Sequence, residues 1–143
     1  MLIGEYTHAL DVKGRVNFPA KLREELGELF YITRSPDAEE SDRCLFVYSQ
    51  AEFETLKEQI RKLPFAEAKI AQRFFSKTTP AEPDKQGRVL IPQNLREYAG
   101  LDKEVVVVGA MVRAEIWDKQ RWLEQEGDMS YDAIERILGG MNL

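Results

Sequence analysis

Two aspartates, Asp11 and Asp84, each stand four residues before an arginine, Arg15 and Arg88, and a glycine, Gly14 or Gly87, directly precedes that arginine. The chemistry open to such a group is recognition of an anion or of a polar edge. An aspartate that opens a four-residue turn accepts hydrogen bonds from the turn's own amides, and a glycine supplies the positive φ on which the turn closes. The same carboxylate can orient the guanidinium behind it, whose fork of donors then meets a phosphate or the edge of a guanine. Lys13 and Lys85 add one positive charge inside each turn. A purely structural role competes with this one, because Asp and Gly shape turns in any protein and an Asp–Arg pair can stiffen a turn without any ligand. Turning the chain does not require arginine, however, and both copies have it.

Each turn belongs to a longer repeat. The stretch DVKGRVNFPAKLRE, Asp11 to Glu24, returns 73 residues later as DKQGRVLIPQNLRE, Asp84 to Glu97, with Asp, Gly, Arg, Val, Pro, Leu, Arg and Glu in register at 8 of 14 positions. Unrelated segments of that length share about one residue. The chain carries a net charge of −5, which by itself argues against a nucleic-acid partner. The distribution of that charge argues the other way: the two stretches carry +2 and +1, leaving −8 on the rest. They are basic islands on an acidic protein, the second weaker by one charge: Gln86 stands where the first has Lys13, Lys85 makes up for it inside the turn, and Asn94 stands where the first has Lys21. Lys21 is a further candidate phosphate contact, and Arg73 and Lys77 border the second copy. Arg23 and Arg96 follow the repeat's core leucine in identical frames, which suits packing or pairing first and interface contact second.

The elements that must position these residues read the same way in both halves. Alternation makes GEYTHAL a strand, with Tyr6, His8 and Leu10 on one face, and DVKG a hairpin turn into the returning strand RVNF. Val16 and Phe18 share its apolar face, as do Val89 and Ile91 in the second copy, so both arginines point away from the core. Pro19 and Pro92 suit helix starts, Leu22/Leu26 and Leu95/Ala99 line one helix face, and Gly27 and Gly100 suit the C-terminal caps. LFYIT and CLFVY in the first half, and VVVV and AEIW in the second, follow as strands. The acidic link RSPDAEESDR within the first pair reads as a mobile loop. Ser49 caps a helix through Leu63, another starts at Pro64, and SYDAIERILGGMNL forms an amphipathic tail helix. In TTPAEPD, Pro80 and Pro83 remove ladder donors and confine the segment to a sheet edge. At 143 residues each half alone is too small to close a core, so the two should share one. This divides the chain at 5–47 (first module), 48–75 (helical connection), 76–119 (second module) and 120–143 (C-terminal helical segment).

Several function classes are excluded. Phosphate-cradling glycine loops are absent, and no Ser, Cys or carboxylate has the partners that catalysis requires, so no enzyme, catalytic residue or cofactor is expected. One histidine and one cysteine cannot build a zinc site, and no metal is expected. Cys44, in the apolar run CLFVY, reads as a buried packing thiol in a reducing compartment. The N-terminal stretch has neither the basic flank nor the apolar length of a signal peptide or membrane span, which points to the cytosol.

The duplicated Asp-x-x-Gly-Arg turn, short β run, proline and Leu-Arg-Glu helix resemble the AbrB type of swapped-hairpin DNA-binding module. Two such modules in this length resemble the MraZ family of bacterial transcription regulators. The resemblance implies an α+β fold in which two tandem swapped-hairpin modules share one pseudo-symmetric, barrel-like core, with helices outside. It also implies a ring-shaped homo-oligomer, associated with the nucleoid and bound to repeated double-stranded DNA elements upstream of the division and cell-wall operon that includes the regulator's own gene. Carried onto this sequence, the DNA-contacting positions are Asp11, Lys13, Gly14, Arg15, Asp84, Lys85, Gly87 and Arg88. The rival is a ring-forming scaffold for protein partners without DNA readout, and an antitoxin-like module is a milder variant.

Overall fold

A computed structural model describes residues 1–143. Eight strands and six helices alternate in the order that the repeat implies. Strand β1 (Glu5–Ala9), β2 (Arg15–Asn17), helix α1 (Ala20–Leu26), β3 (Phe30–Arg34) and β4 (Leu45–Ser49) make the first half. Helices α2 (Gln50–Arg61) and α3 (Phe65–Phe75) connect it to β5 (Thr79–Ala81), β6 (Arg88–Leu90), α4 (Gln93–Ala99), β7 (Glu104–Ala110) and β8 (Arg113–Asp118). Helices α5 (Lys119–Gly127) and α6 (Tyr131–Leu138) close the chain. Ser49, Asp118 and Ser130 cap α2, α5 and α6 with side-chain oxygens, each satisfying one amide that the helix leaves unpaired. Helices α1 and α4 follow Pro19 and Pro92 without any such bond, so packing of their leucines holds them.

Six strands form one antiparallel sheet in the order β1-β7-β8-β4-β3-β5, and β2 pairs only with β6. The order is palindromic under exchange of the halves. The first strand of each half leaves its own half and pairs with the third strand of the other: β1 on β7, β5 on β3. Two expectations are corrected here. The turns at Asp11 and Asp84 reverse the chain, but β1 does not ladder with β2 as a hairpin; each strand finds its partner in the opposite half. The sheet is also open rather than closed into a barrel, since β1 and β5 are its two edges and no ladder joins them. The reason at β5 is covalent: Pro80, opposite Tyr31, has no amide to give a further strand. That edge position is the one the sequence implied.

One apolar cluster lies between the sheet, the β2–β6 ladder and the short helices. It draws equivalent residues from both halves, Val16 with Val89, Phe18 with Ile91, Leu22 with Leu95 and Ile32 with Val105. Neither half could bury these alone, which answers the size argument physically. A smaller cluster on the reverse face joins Cys44, Val106, Val108 and Trp117, with Trp122 of α5 packed 5.7 Å from the Trp117 ring. Cys44 is buried and unpaired, and burial, reinforced by the nearby Glu115 charge, pushes its thiol far above the ordinary range, in keeping with a packing role. Phe53 stacks on Tyr31 at 4.6 Å, setting α2 against β3.

The link between β3 and β4 is more structured than its composition suggests. It contains a 3₁₀ turn, Glu40–Asp42, and Arg121 Nη1 donates to the Glu40 and Ala99 carbonyls at 2.9 and 3.0 Å, while Gln125 Nε2 donates to Asp42 Oδ1 at 2.6 Å. No helix of the chain is long and apolar enough to cross a membrane.

Leu95 on α4 is fully buried in the shared cluster. Leu95→Ala is expected to destabilise the protein by about 2–5 kcal/mol, seen as a lowered midpoint in urea unfolding.

Candidate nucleic-acid interface

Each repeat turn is built the same way. In the first, the Gly14 amide donates to the Asp11 carbonyl at 3.0 Å and the Asp11 amide donates to the Arg15 carbonyl at 2.9 Å. Asp11 Oδ1 accepts from the amides of Lys13 and Arg15 at 2.9 and 2.8 Å, and Oδ2 accepts from Arg15 Nε at 2.9 Å. In the second, Asp84 Oδ1 accepts from the Gln86 and Arg88 amides at 2.9 Å each, and Oδ2 from Arg88 Nε at 2.9 Å. Gly14 and Gly87 close the turns at φ 86° and 79°, values that a side chain strongly disfavours. The carboxylates therefore do two things at once: they close the turn, and they fix the direction of the arginine.

Only Nε of each arginine is used. The two terminal nitrogens of Arg15 and of Arg88 make no hydrogen bond within the chain, so each fork is anchored at Nε and its ends are left to partners outside the chain. Hydrogen bonding from the Arg15 amide, then from its side chain, holds the Asp11 carboxyl below its ordinary pKa, and Arg88 does the same for Asp84. Both aspartates stay ionised across the neutral range.

The two turns are not separate sites. Antiparallel β2 and β6 place Val16 opposite Val89, both buried, and on the outer face Arg15 opposite Leu90 and Asn17 opposite Arg88. Because side chains alternate, both arginines share that outer face as diagonal neighbours, about 7–8 Å apart in such a ladder. The join is tightened at both ends, where the Phe18 amide donates to the Gly87 carbonyl and the Ile91 amide to the Gly14 carbonyl, each at 2.9 Å. The result is a two-stranded ribbon with both turns on one surface.

The structure thus gathers Asp11, Gly14, Arg15, Asp84, Gly87 and Arg88 around one ribbon. Lys13 and Lys85 sit in the turns, exposed and in no ion pair, and Lys21 is exposed on α1. Arg73 and Lys77 lie at and beyond the end of α3, where they make no hydrogen bond or ion pair with the ribbon. His8 is a strand residue opposite Val105, as its alternation suggested. Sequence reasoning did not single out Asn17 and Leu90, which stand on the outer face between the arginines. The signal was available only in part: alternation gave their direction, but not the strand beside them.

A family profile described as "MraZ protein, putative antitoxin-like" matches residues 1–72 and again residues 74–136. The chain belongs to the MraZ family. Proteins named Transcriptional regulator MraZ resemble it along most of their length. The one from Caldicellulosiruptor bescii is 52% identical over 139 residues, covering 94% of each chain. That from Heliobacterium modesticaldum is 50% identical over 143 residues, covering 96% of each. That from Acetivibrio thermocellus is 46% identical over 136 residues, covering 93% of this chain and 92% of its own. The MraZ profile's two matches divide at residue 73, between the two turns, so each match contains one Asp-x-x-Gly-Arg turn.

The carboxylate bonds give these turns a pH dependence of known sign. A carboxyl whose folded pKa is depressed contributes stability above its unfolded pKa of about 3.9, and that contribution is lost as pH falls through the lower folded value. Acid titration followed by carboxyl carbon NMR should therefore show Asp11 and Asp84 protonating below the ordinary aspartate range. Asp11→Asn should remove the first of those late titrations and leave the second in place.

Proposed function

We propose that this MraZ-family chain is a sequence-specific DNA-binding transcription regulator whose contact surface is the β2–β6 ribbon. The observation that carries the reading is the pair of carboxylate-aimed arginines on one outward face, each with two terminal nitrogens unbonded. A two-stranded antiparallel ribbon fits the width of a DNA major groove, and an arginine fork pairs with guanine O6 and N7. Asn17, between the forks, has the donor and acceptor to meet an adenine edge. Lys13 and Lys85 flank the ribbon as phosphate contacts, Asp11 and Asp84 orient the forks, and Gly14 and Gly87 let the turns close. Naming of the relatives as transcriptional regulators supports the same function.

The finer reading follows the family resemblance. In this reading the chain is a pair of AbrB-like modules, which the exchanged strands support, and its targets are repeated elements upstream of the division and cell-wall operon, including the regulator's own gene. A ring-shaped homo-oligomer, working in the cytoplasm and on the nucleoid, brings several ribbons to several repeats. Phe65 at 84% exposure, Ile70 at 70% and Ile137 at 65% support self-association, since a monomer seldom leaves such side chains in water. One ribbon has few positive contacts, and linking several raises avidity by about 10²–10⁴.

Arg15→Ala and Arg88→Ala should each weaken binding to the protein's own upstream DNA by about tenfold or more while leaving thermal unfolding unchanged, as one lost bidentate base contact would. Wild-type binding, followed by fluorescence anisotropy, should fall steeply with salt. Equal affinity for upstream and scrambled DNA, or affinity unmoved by both substitutions, would instead favour the protein-scaffold role.

A further inference from the structure

Arg23 and Arg96 are the repeat's second pair of arginines, and each lies against the turn of the opposite half. A Cβ added at Gly14 would fall 2.7 Å from Cζ of Arg96, and one added at Gly87 would fall 2.8 Å from Cζ of Arg23. The guanidinium thus rests on the bare backbone of the turn glycine, in space that any side chain there would occupy. Arg23 is anchored on the way by its Nε, which donates to the Phe18 carbonyl at 2.9 Å, while Nε of Arg96 is buried without a partner. Two mirrored surface grooves record the same arrangement. One joins Arg23, Glu24 and Gly27 to Pro83 and Asp84; the other joins Arg96, Glu97 and Gly100 to Leu10 and Asp11.

We propose that Arg96 and Arg23 are positioning residues that hold the opposite half's turn, Arg96 that of Arg15 and Arg23 that of Arg88, by seating a flat guanidinium on the turn glycine. The proposal rests on the DNA-binding reading of the ribbon and adds residues that act through it. Both grooves are lined by carboxylates, Glu24, Glu28, Glu82 and Asp84 in one and Asp11, Glu97 and Asp102 in the other. A phosphate is repelled from such walls, which separates these arginines from the outward forks. The seat uses the plane of the guanidinium rather than its charge, so lysine does not replace it. It also explains the glycines beyond their φ: the turn must leave its backbone open to a side chain from the other repeat. Each recognition turn is consequently a composite of both halves.

Double-mutant cycles in the full-length protein test this with upstream DNA as probe. Arg96→Gln and Arg96→Lys should both weaken binding with thermal unfolding near wild type and with the slope of log affinity against log salt unchanged, because no phosphate contact is lost. Arg96→Gln combined with Arg15→Ala should fall short of the product of the single losses by about fivefold or more, whereas Arg96→Gln with Arg88→Ala should be multiplicative. Arg23→Gln supplies the mirror cycle, coupled to Arg88→Ala and independent of Arg15→Ala, and carries the test if the Arg96 variants do not fold. Full rescue by lysine, a salt slope lowered by about one, or coupling within the same half would overturn the proposal. If Arg15→Ala alone leaves binding intact, the DNA-binding surface itself is wrong and the proposal falls with it. If Arg15→Ala weakens binding and no cross-half coupling appears, only the positioning role is lost.

Discussion

The buried Val16–Val89 pair, at the centre of the β2–β6 ladder, is the contact on which the rest depends. It joins the two repeats through three residues of strand on each side, too few to be stable in isolation. The ladder holds because it is not isolated. Its inner face seals the shared cluster, its ends are tied by bonds from Phe18 and Ile91, and the exchanged strands β1 and β5 bind each half to the other's sheet. Core and proposed recognition surface are the two faces of one ribbon. Apolar residues at one parity are buried, and the arginines at the other parity are thereby turned outward in fixed register.

Rigidity at the arginines has a second source in electrostatics. An exposed Asp–Arg pair contributes little to stability when only Coulomb attraction acts, because water and salt screen it and side-chain entropy opposes it. Here the carboxylate already accepts two backbone amides, so its position is set by the turn and little further entropy is lost on meeting Nε. The same cost has been met inside the fold twice, at Asp11 and at Asp84. A guanidinium held in this manner gives up less freedom on binding than a free one, and the saving appears as affinity and as directional selectivity.

Most elements were legible because they rest on local rules. Strand alternation, helix starts after Pro19 and Pro92, the Ser49 cap and the edge position imposed by Pro80 each depend on residues within one element. The Asp11–Arg15 and Asp84–Arg88 bonds were legible as one of two competing roles, and the geometry shows that the bond and an open fork coexist. What the sequence did not disclose is pairing across 73 residues. An Asp-x-x-Gly turn specifies that the chain reverses, yet says nothing of which strand lies beside the returning one, and a hairpin is the nearest local answer. β2 and β6 have only three residues each, so their own composition could not favour one partner over another. The tethered acidic link was missed for a similar reason, since the groups that hold it, Arg121 and Gln125, come from α5, about 80 residues away. Asn17 and Leu90 escaped notice because their place beside the arginines is set by the strand that stands opposite.

The acidic remainder of the chain follows from the same design once the ribbon is taken as the contact surface. At physiological ionic strength charges are screened beyond about 8 Å, so the forks meet a phosphate or base at contact range with little interference from carboxylates on the far side. Those carboxylates still act on any DNA approaching by another face, where no aimed cation offsets them. Non-specific association, which is carried almost entirely by phosphate contacts, is thereby reduced more than association through the ribbon. A basic body would gain affinity for every sequence; an acidic body with two basic turns gains discrimination instead. The cost is a weak single contact, which the proposed ring offsets by presenting several ribbons together. Repetition inside the chain is the first step in that direction, since duplicating the turn doubled the aimed arginines and placed both on one face.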